Sequence, residues 1–174
     1  KELQLLLNKL DIITLMHNFP QLQRPSHLLA TLFGVGLLPF APGTWGSIAG
    51  LLVYMYLVVY LSLGAQTIIS LTAVIAVFSI WICHLATKDL ERADRDQKSI
   101  VIDELAGLWI ALLPIAGLLM IKEVLVYGFL AFVLFRIFDI WKPFPISLID
   151  KNMKNGLGVV LDDLIAGVYA AFFV

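Results

Sequence analysis

The chain has 174 residues, of which 60% are hydrophobic and only 14% charged, against about 25% charged in soluble domains. A net charge of −1 offers no basic field for nucleic acid, and a single cysteine, Cys83, excludes an internal disulfide and a cysteine-based metal site. No Asp, Glu, Lys or Arg occurs between Arg24 and Lys88, which marks an integral membrane protein.

Residues 1–17 place leucine and isoleucine at roughly helical spacing between Lys1, Lys9 and Asp11. This predicts an amphipathic helix on the membrane surface, with a simple tether as the alternative, within an N-terminal segment 1–24 that precedes the embedded domain 25–174. The apolar stretch His27–Phe40 is too short to span and suits an interfacial or re-entrant segment. The prolines and glycines of 39–46 predict a turn-rich loop, with Thr44 and Ser47 available to cap the next helix. Gly46 and Gly50 form a G-x-x-x-G pair that admits a neighbouring helix.

Spans are expected over 47–63, 67–87, 105–121, 124–141 and 159–174. Polar loops at 88–99 and 142–158 separate them, and Pro114 could bend the third. The fold class is therefore all-α and polytopic, with about five spanning or partly spanning helices. Alternating these spans puts all twelve lysines and arginines except Lys122 on one side. The positive-inside rule makes that side cytoplasmic.

The same alternation gathers five acids at that face. Asp103 and Glu104 head the third span, Asp139 ends the fourth, and Asp162 and Asp163 enter the fifth. A charge within a span costs about 3 kcal/mol or more, so this clustering asks for a cation. Oxygen donors without cysteine suit Mg²⁺ or Mn²⁺ rather than zinc. The competing reading is that the acids pair with Arg136, Lys142 or Lys88. D-E-L-A-G at 103–107 is echoed by D-D-L-I-A-G at 162–167, so small residues follow each acidic pair and allow close helix packing. Arg136, Asp139 and Lys142 share a helix face if the helix persists that far. Lys142 could hold a phosphate, and the Gly43-Thr44-Trp45-Gly46-Ser47 loop offers an anion cradle at a helix N-terminus. Anion cradle, lysine and carboxylate-held metal together suggest phosphoryl chemistry on a lipid. No nucleotide-binding or serine-hydrolase motif is present.

Five ordered blocks then carry a resemblance. They are G-V-G-L-L-P-F-A-P-G-T-W-G-S at 34–47, C-H-L-A-T-K-D at 83–89 and S-I-V-I-D-E-L-A-G at 99–107, followed by F-R-I-F-D-I-W-K-P-F-P at 135–145 and N-G-L-G-V-V-L-D-D-L-I-A-G at 155–167. Over roughly Pro25–Val174 the chain resembles the phosphatidylglycerophosphatase A family of bacterial inner-membrane lipid phosphatases. The resemblance implies Mg²⁺-dependent hydrolysis of phosphatidylglycerophosphate to phosphatidylglycerol and inorganic phosphate. It carries the family's acidic motifs onto Asp103, Glu104, Asp139, Asp162 and Asp163. Its K-D pair falls on Lys88 and Asp89, its K-P on Lys142 and Pro143, and its P-G-T on Pro42, Gly43 and Thr44.

The resulting expectation is a multi-pass enzyme of the bacterial inner membrane with its site at the cytoplasmic face. Its partners are the lipid substrate and surrounding lipids, with no obligate protein partner. Asp103, Asp139 and Asp163 would hold Mg²⁺, with Glu104 and Asp162 also in the metal and catalytic set. Glu104 or Asp162 would position or deprotonate water. Lys142 and the 43–47 loop would bind phosphate, with Lys88 and Arg136 as further substrate-binding candidates. Direct water attack and a phospho-aspartate route are both compatible with this set. The rival class is a cation-coupled transporter using the same acids; its acids would be expected at the midplane rather than at one face.

Overall fold

The computed structural model describes residues 19–90, 97–118, 120–153 and 156–174. The expected amphipathic helix over 1–17 and the centre of the first polar loop lie outside these residues. The helices in chain order are α1 (Pro25–Ala30), α2 (Pro42–Met55), α3 (Ala65–Thr87), α4 (Ile102–Ala111), α5 (Ile121–Trp141), α6 (Ile146–Asn152) and α7 (Gly156–Phe173). No strand occurs among the described residues. Four helical stretches are long and apolar enough to cross a membrane: Pro42–Tyr60, which includes a π-helical turn over Tyr56–Tyr60, and α3, α5 and α7. Their outward faces carry exposed Val74, Val77, Leu125, Val126 and Phe129, as lipid contact requires. The architecture is that of an all-helical, polytopic membrane protein.

α7 is the central element. Its apolar window is 44% buried, against 22–28% for the other three. α4 packs along it where the two acidic echoes meet. A methyl group on Gly167 would strike the carbonyl oxygen of Gly107, and one on Gly107 would lie 2.5 Å from the carbonyl of Asp163. The small residues after each acidic pair are thus the crossing point of α4 and α7. In lipid the hydrophobic effect adds little between helices, so this backbone approach supplies the dispersion contact that holds them.

The third expected span is shorter than its hydropathy suggested. α4 has 10 residues, about 15 Å of rise, roughly half the hydrocarbon thickness. It gives way to a 3₁₀ turn at Leu113–Ile115, because Pro114 cannot donate to the helical ladder. The Tyr54 hydroxyl donates to the Leu112 carbonyl at 2.9 Å. Trp109 Nε1 donates to the Gly50 carbonyl at 3.0 Å, and Ser79 Oγ to that of Ile102 at 3.2 Å. These bonds tie the half-length helix to α2 and α3, at roughly 0.6–2 kcal/mol each.

Two loop expectations also change. Residues 43–47 form the first turns of α2 rather than an open loop: Ala41 turns left-handed (φ 47°) and Pro42 occupies the first helical turn. No side chain caps this helix; Ser47 Oγ instead donates back to the Gly43 carbonyl at 2.9 Å. The 142–158 segment, expected as a loop, contains α6. The His27–Phe40 segment holds only part of α1 and a 3₁₀ turn at Val35–Leu37, consistent with a segment that does not span. His27 is buried there, and its Nδ1 accepts the Gln21 N–H at 3.0 Å. Burial and then the nearby Arg24 charge hold its pKa below the usual value, which suits a neutral acceptor.

Candidate active site

At one end of the bundle the helix termini enclose a cavity of about 100 Å³. That is room for roughly three water volumes, enough for a phosphate group but not for acyl chains. Asp103, Glu104, Asp139, Asp162 and Asp163 all line it, together with Lys142, Asp150, Lys98 and Gln97. Asp103 and Glu104 occupy the first turn of α4, where carboxylates also complement the helix dipole. Asp162 and Asp163 lie seven and eight residues into α7, about two turns deep because that helix begins at Gly156. Asp139 comes from the last turn of α5.

Three of the acids converge closely. One carboxylate oxygen from each of Asp103, Glu104 and Asp163 lies within 4.8 Å of the others. Asp103 and Asp163 are buried and Glu104 is half-buried. At an effective dielectric near 20, each such pair of charges repels by about 3–4 kcal/mol. Among the described residues no lysine or arginine forms an ion pair with these three. Among the described residues, Glu104 Oε2 and Asp162 Oδ1 are buried without a hydrogen-bond partner. An all-carboxylate set with orphaned oxygens fits a hard divalent cation, and the cluster could hold one.

Arg136 and Lys142 are otherwise engaged. Arg136 Nη1 lies 2.7 Å from Asp139 Oδ2 and donates to Ser47 Oγ at 3.4 Å. Lys142, just past the end of α5, donates to Asp162 Oδ2 at 2.7 Å and Asp150 Oδ1 at 2.8 Å. Burial alone would lower the pKa of its ammonium; the two carboxylates outweigh this and raise it, so Lys142 is a cation.

The other expected site residues fall in different places. Gly43 and Ser47 are buried on the α2 face that meets α4 and α5. A methyl on Gly43 would strike Glu104 Oε1 and lie 3.2 Å from Arg136 Nη1. These residues therefore back the acidic cluster rather than cradle an anion. Thr44 does not line the cavity. Lys88 is exposed and borders a separate surface hollow with Arg24, Ser26 and Asp89. Asp150 was missed as a site residue; the signal was a cation at Lys142 needing partners, eight residues upstream of an acid.

A family model described as phosphatidylglycerophosphatase A matches residues 28–174, a stretch that includes every acid of the cavity. The chain belongs to this family. A Haemophilus influenzae phosphatidylglycerophosphatase A is 40% identical over 153 residues, covering 88% of each chain. The Escherichia coli (strain K12) protein of that name is 36% identical over 151 residues, covering 87% of this chain and 82% of its own. A Bacteroides thetaiotaomicron protein named "Putative phosphatidylinositol-3-phosphatase" is 37% identical over 153 residues, covering 86% and 92%. No solved structure matches. The protein is thus an enzyme, a membrane phosphatase, and the transporter reading is not favoured.

Gly43 gives a prediction specific to this arrangement. In Gly43→Ala the new methyl meets the far end of a flexible side chain, so the fold tolerates it and Glu104 moves. Phosphate release should fall about 10–100-fold, the range for disturbed support of a metal ligand. The thermal midpoint should shift by less than 3 °C, read by circular dichroism alongside the assay.

Proposed function

We propose that the enzyme hydrolyses phosphatidylglycerophosphate to phosphatidylglycerol and inorganic phosphate in this cavity. The observation that carries the reading is the convergence of Asp103, Glu104 and Asp163 from two helices beside the Lys142 ammonium. Asp103, Glu104 and Asp163 would hold the metal, which we take to be Mg²⁺, with Asp139 and Asp162 at its edge. When bound, such an ion supplies Lewis-acid polarisation of phosphoryl oxygens and offsets their charge.

The chain's own groups perform the remaining work. Lys142 Nζ binds an oxygen of the terminal phosphate and screens its charge against the incoming water. Glu104 Oε2 or Asp162 Oδ1, each without a partner among the described residues, accepts a proton from the water as the water oxygen bonds to phosphorus. The bond from phosphorus to the glycerol oxygen breaks, and that oxygen takes the proton back from the carboxyl group to become the hydroxyl of phosphatidylglycerol. Arg136 holds Asp139 and Ser47, fixing α5 against α2. The cavity is too small for acyl chains, which stay among the lipids outside. Arg136 and Lys142 lie at the cavity end of α5 and Lys122 at the other, which supports a cytoplasmic site in a bacterial inner membrane.

The full chain in phosphatidylglycerol vesicles should release phosphate from phosphatidylglycerophosphate. Chelation with EDTA should abolish release, and excess Mg²⁺ should restore it. Release unaffected by chelation would remove the metal from this reading; no release with Mg²⁺ present would remove the substrate.

A further inference from the structure

We propose that Asp150 is a positioning residue, which holds the Lys142 ammonium at the cavity mouth where it meets a phosphate oxygen. The inference deepens the proposed reaction and rests on that reading for the phosphate. Its geometry stands separately. Lys142 is the C-cap of α5 with φ 46° and ψ 60°, the left-handed region that costs a non-glycine residue roughly 1 kcal/mol or more. Its N–H still closes the helix on the Phe138 carbonyl at 2.9 Å. The turn reverses the chain so that α6 returns along the cavity and Asp150 comes opposite the lysine.

The ammonium then sits between two carboxylates at nearly equal distance, 2.8 Å to Asp150 and 2.7 Å to Asp162. The two acids are not equivalent. The Asp162 side chain is 9% exposed and stands beside the metal-binding acids, whereas that of Asp150 is 28% exposed, on α6 at the rim. Asp150 is not one of the three converging acids. The two carboxylates hold the ammonium from different helices, Asp150 from α6 and Asp162 from α7. Without Asp150, Lys142 pairs with Asp162 alone and is drawn inward, away from the mouth and toward the acidic cluster. A charge held by partners on two helices is pre-organised, so little reorganisation is needed when phosphate arrives.

The test uses the full-length chain with Mg²⁺, two variants and their combination. In Asp150→Asn, inorganic phosphate should bind about 10-fold more weakly by calorimetry, and kcat/KM should fall about 10–100-fold. Asp150→Glu, which keeps the charge, should recover most of both. In a Lys142→Met background, Asp150→Asn should add no further loss, because Asp150 acts through Lys142. Unchanged phosphate affinity in Asp150→Asn, or an equal loss with and without Lys142, would overturn the proposal. Phosphate binding separates this outcome from failure of the substrate reading. If wild type binds phosphate through Lys142 and Asp150 but leaves phosphatidylglycerophosphate intact, only the substrate is wrong.

Discussion

Asp163→Asn should lower phosphate release by about 10³-fold or more and yet leave the metal-free protein at least as stable as wild type. The two halves have one cause. Asp163 is buried within 4.8 Å of two other carboxylates. An amide of the same shape removes one negative charge, and with it repulsion of about 3–4 kcal/mol per pair at an effective dielectric near 20. It also removes one of the three anionic donors, so a divalent ion loses its strongest reason to bind. A ligand that binds only the folded state stabilises it by about 2.7 kcal/mol at a hundredfold excess over its Kd. Wild type should therefore gain thermal stability with Mg²⁺, and Asp163→Asn should gain almost none. Melting curves with and without Mg²⁺, beside the phosphate assay, read both halves. A variant with wild-type turnover and a wild-type Mg²⁺ shift would eliminate the cluster as a metal site.

Gly167→Ala should damage folding and activity together. Its methyl would land on the carbonyl of Gly107, and the neighbouring atoms are backbone or the branched Ile110 side chain. Neither can rotate away. Overpacking of this kind costs about 1–3 kcal/mol or more, and relief requires α4 to move from α7. That movement separates Asp103 and Glu104 from Asp163. The thermal midpoint should fall by at least 3 °C, and phosphate release should drop further than the loss of folded protein explains. Gly117 is an internal control, since a methyl there meets nothing within 4 Å. Alanine at that position should be neutral or slightly stabilising. A Gly167→Ala protein with wild-type melting and turnover would show that the crossing is looser than its geometry.

The acids were legible because a charge in an apolar run is expensive wherever the run packs. Asp103, Glu104, Asp139, Asp162 and Asp163 could therefore be picked out and assigned to one face by counting spans, and the cavity gathers all five. Lys142 was legible for the same reason. Gly43 and Ser47 were noticed with a different role in mind. Glycine and hydroxyl residues after a proline describe an anion loop and a close-packed helix start equally well. Lys88, one half of the K-D pair, borders a separate surface hollow instead, because it sits just past the end of α3 beside Arg24 and Ser26.

From the sequence by itself came the membrane class, the all-helical fold, the family blocks and the acids. Each rests on composition or on a local pattern whose energetic cost does not depend on distant contacts. The tertiary structure decided the half length of α4, the crossing at Gly107 and Gly167, the close triad among five acids, and the pairing of Lys142 with Asp150. These depend on which backbone atoms come within van der Waals range across helices far apart in the chain. Hydropathy and periodicity describe one helix and its solvent; they do not carry the distance between two.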